Sequence, residues 1–333
     1  MNKVTIQDIA DMCQVSKSSV SRYLNGGYVS KENKEKIKEA IEKTGFKSNF
    51  FAKRLKTKNS NLLGIIIPRI DSITVGKVLN GINNICEENN YTILMQCSNL
   101  NFKKEIDCIK SLYNQGVDGI IVYTLGITNE HIEIYKNLKI PIIFIGQKNE
   151  NVNYICIDDY KAGYIMAEYF YKNNHKNIVF LGVNEKDKAV GVERKKGFYD
   201  FYKKNVSNYN INFVETDFSF KKSYNKGKDV IKFNPTGVIC ATDNICLGLM
   251  LYLNEKGIKI PDEISVAGFG GYEVSSAIKP AITTIEFDYE LLGKMATKNI
   301  LKLIKNENIK EKTDISLKLI KGESVKDIGD NYE

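Results

Sequence analysis

The chain has 333 residues, 43% of them hydrophobic and 26% charged, and a formal net charge of +8. That length suits about two or three domains rather than one, and the composition excludes a mostly disordered chain. Apolar runs such as Leu62 to Ile67 fall far short of the ~18 residues a membrane span needs, and an N-terminus carrying Asp8 and Asp11 with no apolar stretch is not a secretory signal.

The charge is lopsided. Residues 1–60 hold 13 Lys+Arg against 6 Asp+Glu, a net of +7, whereas the remaining 273 hold 35 against 34, a net of +1. A small basic domain in front of a neutral body predicts a polyanion partner for the front only.

Residues 4 to 45 read as three short helices. Thr5 can cap the first, with Asp8 three residues on and Ile6, Ile9 and Ala10 on one face. Cys13-Gln14-Val15 makes a tight turn, and Ser16 can cap a second helix from Lys17 to Leu24. Asn25-Gly26-Gly27 ends it. Ser30 can cap the third helix, whose inner face is Ile37, Ala40 and Ile41, with Gly45 at its C-terminus. The first two helices and their turn form a helix-turn-helix pattern. Val15, Val20 and Leu24 point inward, while Lys17, Ser18 and Arg22 point outward, as a helix entering the major groove requires. Arg can pair with guanine O6/N7, and Ser16, Ser19, Ser21 and Asn25 suit phosphates. An ordinary amphipathic surface helix would share this pattern, but not the charge concentrated around it.

Residues 46 to 61 hold five basic residues and no acid, with Phe51, Ala52 and Leu55 at helical spacing. So short a helix is marginal alone, which predicts a linker that becomes helical when a partner holds it. Leu55, amid Lys53, Arg54, Lys56 and Lys58, suits either a wedge in the minor groove or packing on the body.

From Leu62 the pattern alternates. Candidate strands are 62–67, 91–97, 119–122, 142–145, 154–157, 178–181, 237–241, 265–269, 283–286 and 315–320. Between most of them lie amphipathic patterns such as 75–89, 102–114, 160–173, 191–204, 243–255 and 289–304. Repeated β-α units predict parallel sheets covered on both faces, and this many strands predict two α/β lobes with a ligand cleft beyond their carboxyl ends.

Enzyme signatures are weak. Gly268-Phe269-Gly270-Gly271-Tyr272-Glu273 lacks the third glycine of a dinucleotide loop, and GxxxxGK[ST], HExxH and GxSxG are absent. Asp158-Asp159 reads as a cap for the helix beginning near Tyr160 rather than an acid–base pair. His131 and His175 lie far apart, and His175 reads as a structural turn residue. The seven cysteines (13, 86, 97, 108, 156, 240 and 246) are scattered singly with no CxxC and no Cys/His cluster. They read as small buried hydrophobes, reduced in a cytoplasmic protein, with no metal and no cofactor expected.

The run V4-T-I-x-D-I-A-x-x-x-x-V-S-x-x-S-V-S-R22, then Asn25 and V29-S-x-x-x-x-x-x-I37, resembles the head of the lactose/galactose-repressor family of bacterial regulators. Asn49-Phe-Phe-Ala52-Lys53-Arg-Leu55 is similar to that family's hinge helix. Agreement continues through Gly116-Val117-Asp118-Gly119-Ile120, Arg194-Lys195-Lys196-Gly197-Phe198, Ala241-Thr242-Asp243 and Pro261-Asp262-Glu263-Ile264-Ser265-Val266. The resemblance implies a three-helix head, a hinge helix, and a periplasmic-binding-protein-like α/β core of two doubly wound parallel-sheet lobes. It implies DNA contacts at Thr5, Ser16, Lys17, Ser18, Ser19, Ser21, Arg22, Asn25, Asn49, Ala52, Lys53 and Leu55, with Lys17, Ser18 and Arg22 reading bases and Leu55 the wedge. Arg194 and Asp243 match effector-cleft positions. Gly146-Gln147 and Gly270-Gly271 stand where many relatives carry an Asp. With Pro68-Arg69-Ile70-Asp71-Ser72 these departures resemble the branch of sucrose-operon repressors, which adds Arg69, Asp71, Gln147 and Gly270 as effector contacts. Lys186 and Lys188 suit either a phosphorylated sugar or a solvated loop.

The expected domains are a head at 1–46, a hinge and linker at 47–60, and a core at 61–333. Lobe one takes about 61–158 and 287–313, and lobe two about 159–286 and 314–325. The expected protein is a non-enzymatic homodimeric regulator, most simply a repressor of sugar-utilisation genes. It binds a near-palindromic operator in double-stranded DNA under control of a sugar or sugar phosphate, with no membrane partner. The rival readings are a sugar sensor without DNA readout and, less favoured, an α/β sugar-processing enzyme.

Overall fold

The computed structural model describes residues 4–24, 26–46, 59–309 and 315–329. The chain divides into two compact units, Met1–Ser60 and Asn61–Glu333.

In the first unit, α1 (Ile6–Cys13) begins at a reciprocal cap: Asp8 N donates to Thr5 Oγ1 (3.3 Å) and Thr5 N to Asp8 Oδ2 (2.7 Å). Two otherwise orphaned amides are thereby satisfied. Gln14, at φ 53°, turns the chain into α2 (Lys17–Leu24), where Ser16 Oγ accepts from Ser19 N. α3 (Lys31–Thr44) ends at Gly45 in the left-handed region. Ser30 precedes α3 but makes no side-chain cap bond, so the cap expected there is positional only. Ile9, Ala10, Val20 and Ile37 fill the centre of this unit and are at most 6% exposed, as is Ala40. The expected contacts Asn25, Asn49, Ala52, Lys53 and Leu55, with the hinge helix itself, lie outside the described residues.

The second unit contains two sheets. The first has strand order β2-β1-β3-β4-β5 and is wholly parallel: β1 (Leu62–Ile67), β2 (Thr92–Cys97), β3 (Gly119–Tyr123), β4 (Ile142–Ile145) and β5 (Tyr154–Ile155). β1 is buried along its whole length, and Ile65 pairs with Met95 on one side and Ile121 on the other. Its uninterrupted LLGIII run is what a strand covered on both faces demands. The second sheet has order β11-β10-β9-β8-β6-β7: β6 (Asn177–Gly182), β7 (Asn210–Glu215), β8 (Gly237–Cys240), β9 (Ser265–Gly270), β10 (Thr283–Phe287) and β11 (Leu317–Ile320). It is parallel except for β10 with β11. The edge strand β7 was absent from the sequence expectation. Its NINFVE has asparagines at alternate positions and pairs on one side only, so no continuous apolar run marks it.

The helices α4 (Ile73–Glu88), α5 (Phe102–Asn114), α6 (Asn129–Asn137), α7 (Asp159–Lys172), α8 (Lys195–Asn205), α9 (Phe220–Ile231), α10 (Asp243–Glu255), α11 (Glu273–Ala277) and α12 (Tyr289–Ile304) cover the sheets. α12 follows β10 yet packs on α4 and β3, so the chain returns to the first lobe before ending in the second. Between β6 and α8 the backbone widens into a π-helical segment, Lys188–Arg194, a form that often marks functional sites. It runs against α7 at very close range. A Cβ on Gly163 would lie 2.0 Å from Arg194 O, and one on Gly197 1.9 Å from Tyr160 O. Only glycine fits there. Among the described residues no helix is long and apolar enough to cross a membrane, and no group of His, Cys, Asp and Glu is arranged to hold a metal ion.

Candidate functional site

In each sheet the order reverses beside the first strand of its lobe, between β1 and β3 and between β6 and β8. Loops leaving the carboxyl ends of such neighbours diverge and leave a crevice. The two crevices face each other and line one cleft with a cavity volume of about 140 Å³. Arg69 reaches it from the end of β1, Tyr123 and Thr124 from β3, Gln147 from β4, Asp187 from β6, and Thr242 and Asn244 from β8.

Arg194 closes the π-helical segment and is 3% exposed. Its Nε donates to Asp159 Oδ1 at 3.0 Å, Nη2 reaches the same oxygen, and Nη1 bonds Ala241 O. The guanidinium lies 4.6 Å from the Phe269 ring centroid and 5.1 Å from that of Phe287. Burial works against its charge, and the neighbouring Asp159 more than restores it. Those bonds use three of its five N–H groups, and the side chain is part of the cavity lining. Burial holds the Asp159 carboxyl above its ordinary range, with Arg194 opposing. Asp158, not Asp159, supplies the α7 cap by accepting from Lys161 N at 2.8 Å. The expected pair of capping carboxylates is thus divided between a cap and an ion pair.

Asp187 is 5% exposed. Its Oδ1 accepts from Val190 N at 3.0 Å, starting the π-helical segment, and from Gln147 Nε2 at 3.3 Å. Burial pushes this carboxyl up to about 6, against the Val190 bond. Three further bonds link the lobes: Lys188 N to Leu125 O (3.0 Å), Thr74 Oγ1 with Tyr272 Oη (3.2 Å), and Lys77 Nζ to Gly271 O (3.3 Å).

Of the expected effector contacts, Arg69, Asp71, Gln147 and Arg194 line the cavity. Arg69 Nε pairs with the largely exposed Asp71 at 3.2 Å and lies 5.4 Å from the Phe218 ring centroid. Asp243 and Gly270 are not among the residues that line the cavity. Asp243 is fully buried and accepts from Tyr272 N (3.1 Å), Ser275 Oγ (2.8 Å) and Thr284 Oγ1 (2.7 Å). These bonds tie the Tyr272 backbone to Ser275 and Thr284 through one carboxylate. Gly270, at φ 143°, lets that ring approach: a Cβ would sit 2.5 Å from it. Lys186 and Lys188 are exposed and absent from the lining. Sequence reasoning missed Asp187, whose flanking lysines made it look like a solvated loop, and the tyrosines 123, 272 and 289, whose spacing carries no signal.

In the first unit, Thr5, Ser16, Lys17, Ser18 and Arg22 are exposed and Ser19 and Ser21 half-buried. Ser16 Oγ lies 2.7 Å from Ser18 Oγ and 2.9 Å from Ser19 Oγ, a hydroxyl cluster at the start of α2. Helix starts of this kind present amides and hydroxyls to phosphate.

A basic helix-turn-helix head joined to a two-lobe ligand-binding core defines a class of DNA-binding transcriptional regulators. Comparison with known proteins places the chain within it. Residues 5–49 match bacterial regulatory proteins of the lacI family, and residues 167–325 a periplasmic binding protein-like domain. The chain is 32% identical over 314 residues to the sucrose operon repressor of Staphylococcus xylosus, covering 94% of this chain and 97% of that protein. It is also 32% identical over 311 residues to the HTH-type transcriptional regulator RegA of Clostridium acetobutylicum, covering 90% and 92%. The lac repressor dimer bound to operator and the anti-inducer ONPF superposes with a TM-score of 0.89 at 22% identity, over 98% of this chain and all of that one. The protein belongs to the lacI family of bacterial regulatory proteins. These relatives are regulators, not enzymes.

Proposed function

We propose that the protein represses sugar-utilisation genes, and that a sugar or sugar phosphate in the inter-lobe cavity, with a sucrose-type sugar favoured, sets its affinity for a near-palindromic operator. A homodimer would present two heads to the two half-sites. Lys17, Ser18 and Arg22 are assigned to bases, and Thr5, Ser16, Ser19 and Ser21 to the backbone. Arg69, Asp71, Gln147 and Arg194 are assigned to the effector. The observation that carries this reading is a cavity lined from both lobes whose rim already holds lobe-to-lobe hydrogen bonds. A ligand that replaces or reinforces those bonds changes the equilibrium between lobe arrangements. Linkage then requires that operator binding and ligand binding affect each other equally. The name of the Staphylococcus xylosus relative supports the sucrose-type ligand.

The test is a titration against DNA from upstream of the protein's own gene, with and without sucrose, trehalose, fructose and their phosphates, at two salt concentrations. Specific binding with a steep salt slope, released by one sugar, is the expected result. Sugar binding without specific DNA binding would make the protein a sensor instead.

A further inference from the structure

We propose that the inter-lobe cavity takes an uncharged polyol and discriminates against phosphate esters, through an unpaired carboxylate oxygen of Asp187. The proposal rests on the reading of this cavity as the effector site and adds the charge of the ligand to it.

The charged lining consists of two guanidiniums, Arg69 and Arg194, and three carboxylates, Asp71, Asp159 and Asp187. Each guanidinium is already paired with one carboxylate. Arg194 is bound to Asp159, both nearly fully buried, and Arg69 to Asp71. Asp187 is left over, so the lining carries one net negative charge. Both hydrogen bonds to Asp187 fall on Oδ1. No hydrogen bond among the described residues reaches its Oδ2, and the side chain borders the cavity. A carboxylate oxygen only accepts, so it calls for a donor, and a sugar hydroxyl supplies one. A phosphate group brings negative charge into a space where screening is weak, against an oxygen that cannot donate to it. The lysines that could neutralise a phosphate, Lys186 and Lys188, are exposed and outside the lining. The two N–H groups remaining on Arg194 can donate to hydroxyl oxygens. Phe218 and Tyr272 supply apolar surface of the kind that the C–H faces of a sugar ring cover.

The experiment is calorimetric titration of the full-length protein with sucrose, trehalose and fructose, each beside its phosphate ester, with operator binding followed in parallel. Binding of at least one neutral sugar, with its phosphate ester tenfold or more weaker, is expected. Asp187→Asn should narrow that gap by raising the relative affinity for the ester, because it removes the charge and keeps the shape. Phosphate esters binding as well as or better than their neutral partners would overturn the proposal while leaving the cavity as the effector site. So would a selectivity unchanged in Asp187→Asn. If no sugar or ester binds while specific operator binding is intact, the effector reading itself fails, and the proposal with it.

Discussion

Gln147 donates Nε2 to Asp187 Oδ1 across 3.3 Å, joining the loop after β4 in one lobe to the start of the π-helical segment in the other. Both side chains are about 5% exposed. The bond therefore sits where the lobes meet and where a ligand would lie.

Gln147→Leu removes that link at nearly constant volume. It leaves Asp187 with only the Val190 amide on Oδ1. The expected outcome is a ligand affinity changed by about tenfold, since one such hydrogen bond is worth roughly 0.5–1.5 kcal/mol, with operator affinity in the absence of ligand altered by less. Ligand affinity identical to wild type would show that the link plays no part in the site.

Arg194→Met strips Asp159 of its buried partner. Such a break costs about 3–5 kcal/mol, read as a lower urea midpoint at pH 7. Asp159→Asn in the same chain should restore part of the loss, because an amide is far cheaper to bury than an unpaired carboxylate. Equal stability of the single and double variants would mean that the ion pair is not what holds this region. Sugar response should vanish in both.

Arg22→Ala should weaken specific operator binding by about 1–3 kcal/mol and relax base preference at one position per half-site. A uniform loss over all DNA sequences would reassign Arg22 to phosphate.

His175 is buried between Thr236 Oγ1 (3.0 Å) and Lys326 O (3.1 Å), and burial pushes its pKa down to about 4 from 6.5. In the window between those values the unfolded chain binds the extra proton. Its contribution to stability is therefore complete above pH 6.5 and lost as pH falls towards 4, amounting to about 3 kcal/mol. Asp187 acts oppositely: with its carboxyl raised to about 6, it favours the folded state as pH falls from 6 to 3.8. The diagnostic is thus the difference between wild type and His175→Gln in denaturant melts at pH 7, 5.5 and 4.5. That difference should shrink with acidity. A constant difference would show that His175 has the same pKa in the folded and unfolded chain.

Much of this was legible beforehand. β1 announced itself through six buried apolar residues, α1 through the Thr5–Asp8 cap, and α3 through Gly45. Arg194 was found only because its motif resembles a family. What stayed hidden depends on contacts distant in sequence. The donors to Asp243, from Tyr272, Ser275 and Thr284, all lie far along the chain from it. Asp159 looks like half of a cap until Arg194, 35 residues on, is found against it. Gly163 carries no pattern at all, because its reason is the backbone of Arg194 2.0 Å from where a Cβ would be. Local periodicity reports which way a side chain faces and not what it meets there.

The cavity lining alternates between strand ends of the two sheets, so neither lobe owns a complete site. Whatever free energy the ligand contributes is, to that extent, adhesion between two halves of one molecule. A saturating ligand enlarges the block of structure that must melt together. Amide exchange on ligand binding should therefore slow most along the seam, in the loops after β1, β4, β6 and β8.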